Sequence, residues 1–419
     1  MNLMKNRIAA LLIMCAFVVT LGRADDAIDK PQPLTLKDCY QLALKQSEQL
    51  AIKQTQIKEA EGRFLQSLSG ALPKLSWEYT HTYKEIGTRD DQSAFTFSQP
   101  LFSGFKEFAA MAGAKAQGRQ HRNELAHAKN LLLIDVADAF YYYGLYQADL
   151  QSTQAIAKTL DERMVELKRR ADLGRSRPSE LASAEARLRR AEAQVEQIRS
   201  QMITARELLE FLTGTSLETI DDSFDRSFIP QTEESLNAYA LNRPDVKAAM
   251  EAVTVAQKQV AAARAGFFPN VSLDGNYYTK KETPASSDWD VALKVDVPLF
   301  QGGENIGKLK EAKAQAQSVQ LAFSETQRKA LLDIRQAYAR LEAASIRSAA
   351  LKKALAAAEK NYELQAKDYG LNMVSNLDVL QALTDLEDVR RDYISADNEG
   401  KRYYWQFKVK TGEVSDVDF

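Results

Sequence analysis

The chain contains the same ordered set of short motifs twice, at an almost constant separation. The segment Pro100–Gly104 (PLFSG) recurs as Pro298–Gly302 (PLFQG), 198 positions later. Three further pairs recur in the same order at an offset of 196: Gly70–Ser76 with Gly266–Ser272, Asp172–Gly174 with Asp368–Gly370, and Ser179–Leu181 with Ser375–Leu377. A shared order at one offset indicates a tandem duplication, so the two halves should adopt the same fold.

Two structural repeats follow from this duplication. We place the first repeat, with its connector at 215–234, at 25–234 and the second repeat at 235–419. Each repeat is predicted to contain a helix, two strands, a very long helix and a returning helix. The predicted bounds are 34–69, 74–85, 93–101, 104–173 and 178–212 in the first repeat, and 244–265, 270–279, 288–299, 302–369 and 376–411 in the second. Each long helix would extend for roughly 100 Å, which predicts an elongated molecule.

The predicted strands alternate two kinds of side chain with a period of two. From Leu75 to Lys84 the odd positions are mostly aromatic and the even positions are polar, and Trp289–Val297 alternates in the same way. This pattern predicts strands with one apolar and one polar face. Segments of roughly 10–12 residues with aromatic side chains near their ends also match the strands of outer-membrane barrels. The alternative is a small antiparallel sheet packed on the helices.

If the strands cross a bilayer, one subunit cannot complete the structure. An open sheet edge in lipid leaves backbone groups without hydrogen-bond partners, at a cost of several kcal/mol each. Four strands are too few to close around a lumen, because single-chain barrels begin at about eight strands. The sequence therefore predicts an oligomer in which each subunit supplies one third or one half of a barrel.

The N-terminus has the features of a secretory signal peptide, which we place at 1–24. A basic start with Lys5 and Arg7 precedes an apolar run from Ile8 to Leu21, which is short for a membrane span. The alternative is a membrane anchor. Cys15 would be removed with the signal, so Cys39 would be the sole cysteine of the mature chain. No internal disulfide is then expected, and no later run is long and apolar enough for a transmembrane helix.

The composition excludes several classes of function. The chain has 55 basic and 57 acidic residues, so it lacks the excess positive charge of a nucleic-acid-binding protein. Its histidines, His81, His121 and His127, do not stand at metal-ligand spacing with other ligands. No phosphate-binding loop, nucleophile elbow or catalytic dyad is present. We therefore expect no catalytic residues, no cofactor and no metal site.

The motifs resemble those of the TolC-like outer membrane factors, which are trimeric export channels of Gram-negative bacteria. The resemblance covers essentially the whole mature chain. The segments that carry it are LTLKD at 34–38, NRPDV at 242–246, FPNVSL at 268–273, VPLFQGG at 297–303, and Gly370 followed by LDVL at 377–380. It implies a mainly helical subunit with a membrane β-barrel part, a 12-stranded barrel built by a homotrimer, and a periplasmic helical tunnel. The partners it implies are a periplasmic adaptor protein, an inner-membrane transporter and outer membrane lipid.

The resemblance also directs attention to the two turns between long and returning helices, where the family closes its tunnel mouth. The implied gate residues are Asp378, Gln381, Asp368, Arg175 and Arg177, and the implied adaptor-docking residues are Gly174, Ser176, Gly370, Asn372 and Ser375. Gly174 and Gly370 are expected to adopt the left-handed conformation that ends a helix. Gln381 stands where a second acid is common in the family, so this chain departs from the double acidic ring at that position.

Both charged features of these turns have alternatives. Ser375 and Asp378 form a capping-box pattern, so Asp378 either caps a helix only or also gates the channel. The basic turn of the first repeat, with Arg169, Arg170, Arg175 and Arg177, either forms a positive collar in the trimer or is a solvated charge run.

The repeated PLFxG motif is predicted to mark the change from membrane strand to tunnel helix. The proposed junction residues are Pro100, Gly104, Pro298 and Gly302, with Pro73 and Pro269 at the opposite crossings. The expected function is a passive channel that serves an energised pump in efflux or type I secretion. The alternative is an exported coiled-coil structural or tethering protein without a pore. A periplasmic adaptor fits less well, because adaptors have one helical hairpin and this chain has two.

Overall fold

The computed structural model describes residues 33–83, 89–174, 176–217, 219–222, 232–281, 287–371 and 373–412. The expected signal peptide, Arg175 and Asn372 lie outside the described residues. The helices are α1 (Leu36–Gln46), α2 (Glu48–Ser69), α3 (Lys106–Asp172), α4 (Pro178–Thr213), α5 (Glu233–Asn242), α6 (Pro244–Ala265), α7 (Glu304–Gly370) and α8 (Asn376–Thr411). The strands are β1 (Lys74–Tyr83), β2 (Arg89–Ser103), β3 (Asn270–Lys280) and β4 (Trp289–Asp296).

Two long helical hairpins form the body of the subunit. Helices α3 and α7 have 67 residues each, which corresponds to roughly 100 Å. Each packs along its returning helix, α4 or α8. Near the turns, apolar side chains at three- and four-residue spacing form a cluster that joins both hairpins: Ile156, Leu160, Leu167, Ala184, Leu188, Ala191, Leu380 and Leu383. The two hairpins therefore share one core near their tips.

The short helices thicken the molecule part-way along the hairpins. Helix α1 buries Cys39 and Ala43 against α3 and α8, where the Trp405 indole N–H donates to the Tyr141 hydroxyl at 3.1 Å. Helices α5 and α6 cover α7 in the same manner. Burial raises the pKa of the Cys39 thiol to about 12, so this sole described cysteine stays protonated and unreactive.

The first predicted helix, 34–69, is wrong as a single element, because it is broken at Ser47. The Ser47 hydroxyl accepts from the Leu50 amide at 3.3 Å and caps α2, while the Ser47 amide still donates to the Ala43 carbonyl of α1. The second repeat has the equivalent break at Arg243, because Pro244 can begin a helix but cannot continue one. Helix α5, before this break, was missed.

The strands form one antiparallel sheet in the order β1-β2-β3-β4, so the two repeats meet at β2 and β3. Polar side chains of one face bond to one another across the strands, as in Ser76 with Thr96 and Ser98 with Asp274, both at 2.6 Å. The other face is exposed, with Leu75 72% and Leu293 63% accessible. Because no helix of the described residues covers that apolar face, the alternative of a sheet packed on the helices is wrong.

Both PLFxG motifs lie between a strand and a long helix, but in different environments, and the predicted strand ends at 101 and 299 are both wrong. Pro100 lies inside β2, which continues to Ser103 because β3 pairs with it there. Strand β4 ends at Asp296, opposite the first residue of β3, so Pro298 lies beyond the strand. The predicted end of this strand at 299 is therefore too late, since no further backbone of this subunit is available for pairing.

Candidate functional site: the helix tips

The turn between α3 and α4 is closed by local backbone geometry. Gly174 adopts the predicted left-handed conformation, with φ 71°, and its amide donates to the Ala171 carbonyl at 2.9 Å. Pro178 begins α4 after the extended residue Arg177, and the Ser176 hydroxyl donates to Glu180 at 2.6 Å. Each of these features is local, so this turn could be predicted from the sequence.

The turn between α7 and α8 differs from the prediction at Gly370. This residue is the last of α7 and is not left-handed. The amides of Leu371 and Met373 both donate to the Asp368 carbonyl, at 3.1 and 2.9 Å, and extend the helical turn past Gly370. The local hydrogen bonds of the second repeat therefore place its helix end later than the duplicated motif implied.

Asp378 forms the capping box that its sequence pattern indicates. Its carboxylate accepts from the Ser375 amide at 2.8 Å and from the Ser375 hydroxyl at 2.6 Å. These hydrogen bonds hold the pKa of Asp378 below its usual value. Thr35 and Asp38 form the same box at the start of α1. The capping role is thus observed, and any gating role is additional to it.

Two other predicted gate residues, Gln381 and Arg177, make no hydrogen bond or ion pair with Asp378 within the described residues. The Gln381 amide donates to Asp385 one turn along α8, at 2.8 Å. Arg177 is exposed and makes no side-chain cap of α4. Within the described part of the chain, no ion pair joins Arg177 to Asp378, and Arg175, the other arginine of the expected collar, lies outside it.

A set of contacts that the sequence reasoning missed links the two hairpins at their tips. The guanidinium groups of Arg163 and Arg170 lie 4.5 and 4.6 Å from the centre of the Tyr369 ring. Arg163 Nε also donates to the Asn376 side-chain oxygen at 3.0 Å, and Asn376 is buried. We call Arg163, Arg170, Tyr369 and Asn376 the tip clamp. The seven-residue spacing of its arginines, which places both on one face of α3, was the signal available in the sequence.

Neither a metal centre nor a helical membrane span is found in the described ranges. No cluster of three or more His, Cys, Asp or Glu side chains in them could hold a metal ion. None of the described helices is long and apolar enough to cross a bilayer.

Comparison with known proteins identifies the family. The profile of the outer membrane efflux protein family matches residues 39–215 and 236–403, one segment in each repeat. The chain belongs to this family. Among its curated relatives, the outer membrane efflux protein BepC of Brucella suis is 25% identical over 325 residues, covering 76% of this chain and 70% of BepC. The alkaline protease secretion protein AprF of Pseudomonas aeruginosa is 24% identical over 406 residues, covering 87% and 82%.

Solved structures share the fold of this outer membrane efflux protein. The Campylobacter jejuni CmeC outer membrane channel matches with a TM-score of 0.80 at 17% identity, over 90% of this chain and 85% of that one. The resemblance to TolC-like channels, the mainly helical fold class and the outer-membrane location are confirmed. The protein is an outer membrane export channel component, and nothing in the comparisons supports the tethering alternative.

A charged groove of about 460 Å³ separates α4 from α8 in this efflux protein. It is lined by Arg187, Arg190, Glu387 and Arg391, and Arg391 Nε also lies 3.2 Å from Asp149 of α3. Burial raises the pKa of Glu387, and the nearby arginines only partly offset this. The groove therefore holds a carboxylate whose charge is disfavoured by the fold.

Replacing Glu387 with Gln should stabilise the protein at neutral pH. A raised folded-state pKa means that the contribution of Glu387 is fully present below its unfolded pKa and is lost as pH rises through the folded pKa. The thermal midpoint of E387Q should exceed that of the parent by on the order of 1–2 °C at pH 7.5 and match it near pH 4. Asp392→Asn, at an exposed position of the same helix, should show no such trend. Equal shifts for E387Q at every pH would contradict this assignment.

Proposed function

We propose that three copies of this chain form a passive export channel, in which the sheets close into a 12-stranded barrel and the hairpins continue as a periplasmic tunnel. The observation that carries this proposal is the open four-stranded sheet with its exposed apolar face at the end of helices roughly 100 Å long. In lipid, the free edges of β1 and β4 require pairing. A second copy of the same chain supplies the complementary edge.

The assembly is tested by its molar mass and its conductance. In detergent, light scattering should give three times the chain mass, and the purified protein should form ion channels in planar bilayers. A soluble periplasmic monomer without pore activity would instead support the tethering protein.

We expect a periplasmic adaptor protein to dock at the helix tips and an inner-membrane transporter to supply the energy, since no phosphate-binding loop is present in the sequence. Apolar side chains at the tips support this docking, because Leu173, Leu371 and Met373 are exposed there without a partner in the described subunit. The docking residues are Gly174, Ser176, Gly370, Asn372 and Ser375. Co-purification of a cross-linked adaptor and transporter would identify both, and we expect no enzymatic activity from the channel itself.

We expect the transporter, rather than the channel, to select the cargo. The names of BepC and AprF describe efflux and protease secretion, respectively, so related channels serve different cargo. A passive tunnel of this kind selects weakly, and the transporter that co-purifies would reveal the substrate class.

Charge pairs between subunits are proposed to hold the mouth closed, with Asp378 facing a collar of Arg175 and Arg177, while Gln381 and Asp368 line the same level. Asp378→Ala and Arg175→Ala should each raise single-channel conductance in planar bilayers, because each removes one side of the pair. Asp378→Asn separates the two roles of the residue, since an amide oxygen can still cap α8 but carries no charge. If D378N conducts like the parent while D378A does not, Asp378 only caps the helix. Unchanged conductance in D378A and R175A would exclude charge-pair gating.

A further inference from the structure

The first PLFxG motif packs on a loop of the second repeat inside the same chain. We call Pro100–Gly104 the first junction and Ala265–Pro269 the second loop. Gly104 is buried at φ 66°, and a Cβ added to it would lie 2.8 Å from the Ala265 carbonyl oxygen and 2.9 Å from the Phe268 Cβ. The Phe102 ring meets the Phe268 ring edge-on at 6.5 Å. Only glycine fits at this contact between the repeats.

Equivalent residues make equivalent contacts within the two repeats. In the first repeat, a Cβ on Gly70 would lie 3.2 Å from Glu107 Cγ, and in the second repeat a Cβ on Gly266 would lie 2.8 Å from Asn305 Oδ1. Gly70 and Gly266 are 196 positions apart, and Glu107 and Asn305 are 198 apart. The sequence offsets therefore convert a contact in one repeat into its counterpart in the other.

The contact between the repeats has no such counterpart in this subunit. The offsets map Gly104 to Gly302 in the second junction, Pro298–Gly302. Gly302 is also left-handed, at φ 58°, yet none of the residues that the structure describes lies within 4 Å of a Cβ placed on it. The neighbouring Leu299 and Phe300 are 91% and 89% exposed, the highest values among the large apolar side chains of the described residues. The second junction therefore has the same left-handed glycine as the first junction, but no loop of the described subunit packs on it.

We propose that the second junction of one subunit packs on the first loop, Ser69–Pro73, of the next subunit. The offsets place Gly302 against Ser69 and Leu72 of that neighbour, as Gly104 lies against Ala265 and Phe268. This inference rests on the proposed channel and specifies the register of its subunit interface. Because each subunit offers its second junction on one side and its first loop on the other, the contact is head-to-tail and can close a ring.

The same mapping sets the pairing of β4 with β1 of the neighbour. Within the chain, Ser103 pairs with Asn270. The counterpart is Gln301 opposite Lys74 of the next subunit. It joins the two strand edges that have no partner among the described strands of one subunit.

The helices beside the sheet carry an independent indication of this interface. Gly113 of α3 lies against α6, where a Cβ on it would be 3.4 Å from the Lys258 Cβ. The offsets map Gly113 to Glu311 of α7 and Lys258 to Gly62 of α2. In the equivalent pair, the glycine therefore lies on the short helix and the larger residue on the long helix. No described residue lies within 4 Å of a Cβ on Gly62. A neighbouring subunit that brings Glu311 to Gly62 would account for both residues.

Disulfide trapping in the full-length chain tests the register. In a Cys39→Ala background, the Lys74→Cys/Gln301→Cys pair should oxidise to covalent dimers and closed trimers on non-reducing gels, because opposed strand positions satisfy disulfide geometry. Ser103→Cys/Asn270→Cys is the matched control, which should lose its free thiols at monomer mass. Ser76→Cys/Gln301→Cys, displaced by two residues, should cross-link far less.

The outcomes separate the register from the assembly. If the control pair oxidises and light scattering gives a trimer, but the 74/301 pair stays monomeric or the displaced pair cross-links better, the proposed interface is wrong and the channel proposal stands. A monomer without conductance would refute the channel proposal and the interface together.

Discussion

Replacing Leu293 with Arg should abolish insertion into the outer membrane. Leu293 lies in the middle of β4 on the exposed apolar face of the sheet. An arginine facing lipid near the bilayer midplane costs about 2–4 kcal/mol, and three copies in a trimer would cost roughly 6–12 kcal/mol. The variant should disappear from the heat-resistant trimer in the outer-membrane fraction, as measured by immunoblotting of fractionated cells.

The neighbouring position provides a matched control for this prediction. Ala292 precedes Leu293 in β4 and belongs to the face on which Asn276 bonds to Asp290. Ala292→Arg introduces the same charge and a larger increase in volume, but on the polar face that the proposal assigns to the lumen. It should insert and assemble. If both variants were lost equally from the outer-membrane fraction, the assignment of the apolar face to lipid and of the polar face to the lumen would be wrong.

Removing the ring at the centre of the tip clamp should open the channel mouth. Tyr369 lies between two arginines of the other hairpin, and each cation–π contact contributes about 0.5–2 kcal/mol. Because any opening that separates the hairpins must break these contacts, Tyr369→Ala should raise the open fraction by about tenfold or more across three subunits. Channel recordings in planar bilayers would measure this as longer and more frequent open periods.

Two further variants assign the effect to the clamp. Tyr369→Phe keeps the aromatic face and should behave like the parent, whereas Arg163→Ala removes both a ring contact and the hydrogen bond to Asn376 and should behave like Tyr369→Ala. An open fraction unchanged in Y369A and R163A would mean that the hairpins do not separate during opening. A raised value in Y369F would assign the effect to the hydroxyl instead.

The sequence was sufficient for the architecture because its signals are periodic and repeated. Alternation with a period of two identified the strands and both faces of the sheet, and long helix-favouring segments without Pro and with few Gly identified α3 and α7. The duplication supplied a second observation of each element. The break at Ser47 was missed because one serine is a weak helix-stopping signal, whereas its counterpart at Pro244 is a strong one.

The functional contacts were harder to predict because they depend on which helices become neighbours. From the sequence alone, Arg163 and Arg170 are expected to be solvated charges on a long helix. The structure places the Tyr369 ring beside both of them. Gly370 was expected to be left-handed from its match with Gly174, but hydrogen bonds to the Asp368 carbonyl extend its helix. In both cases the residue type is ambiguous and the spatial partner determines the role.

The different environments of the two PLFxG junctions have a kinetic consequence. The first junction meets its loop within one polypeptide, so this contact forms during the folding of a single chain at a rate independent of protein concentration. The second junction, if it packs as proposed, meets its loop only by collision between subunits. The same substitution at Gly104 or at Gly302 should then block assembly at different stages. A Gly104 variant should accumulate as a misfolded monomer, and a Gly302 variant as a folded monomer that does not associate.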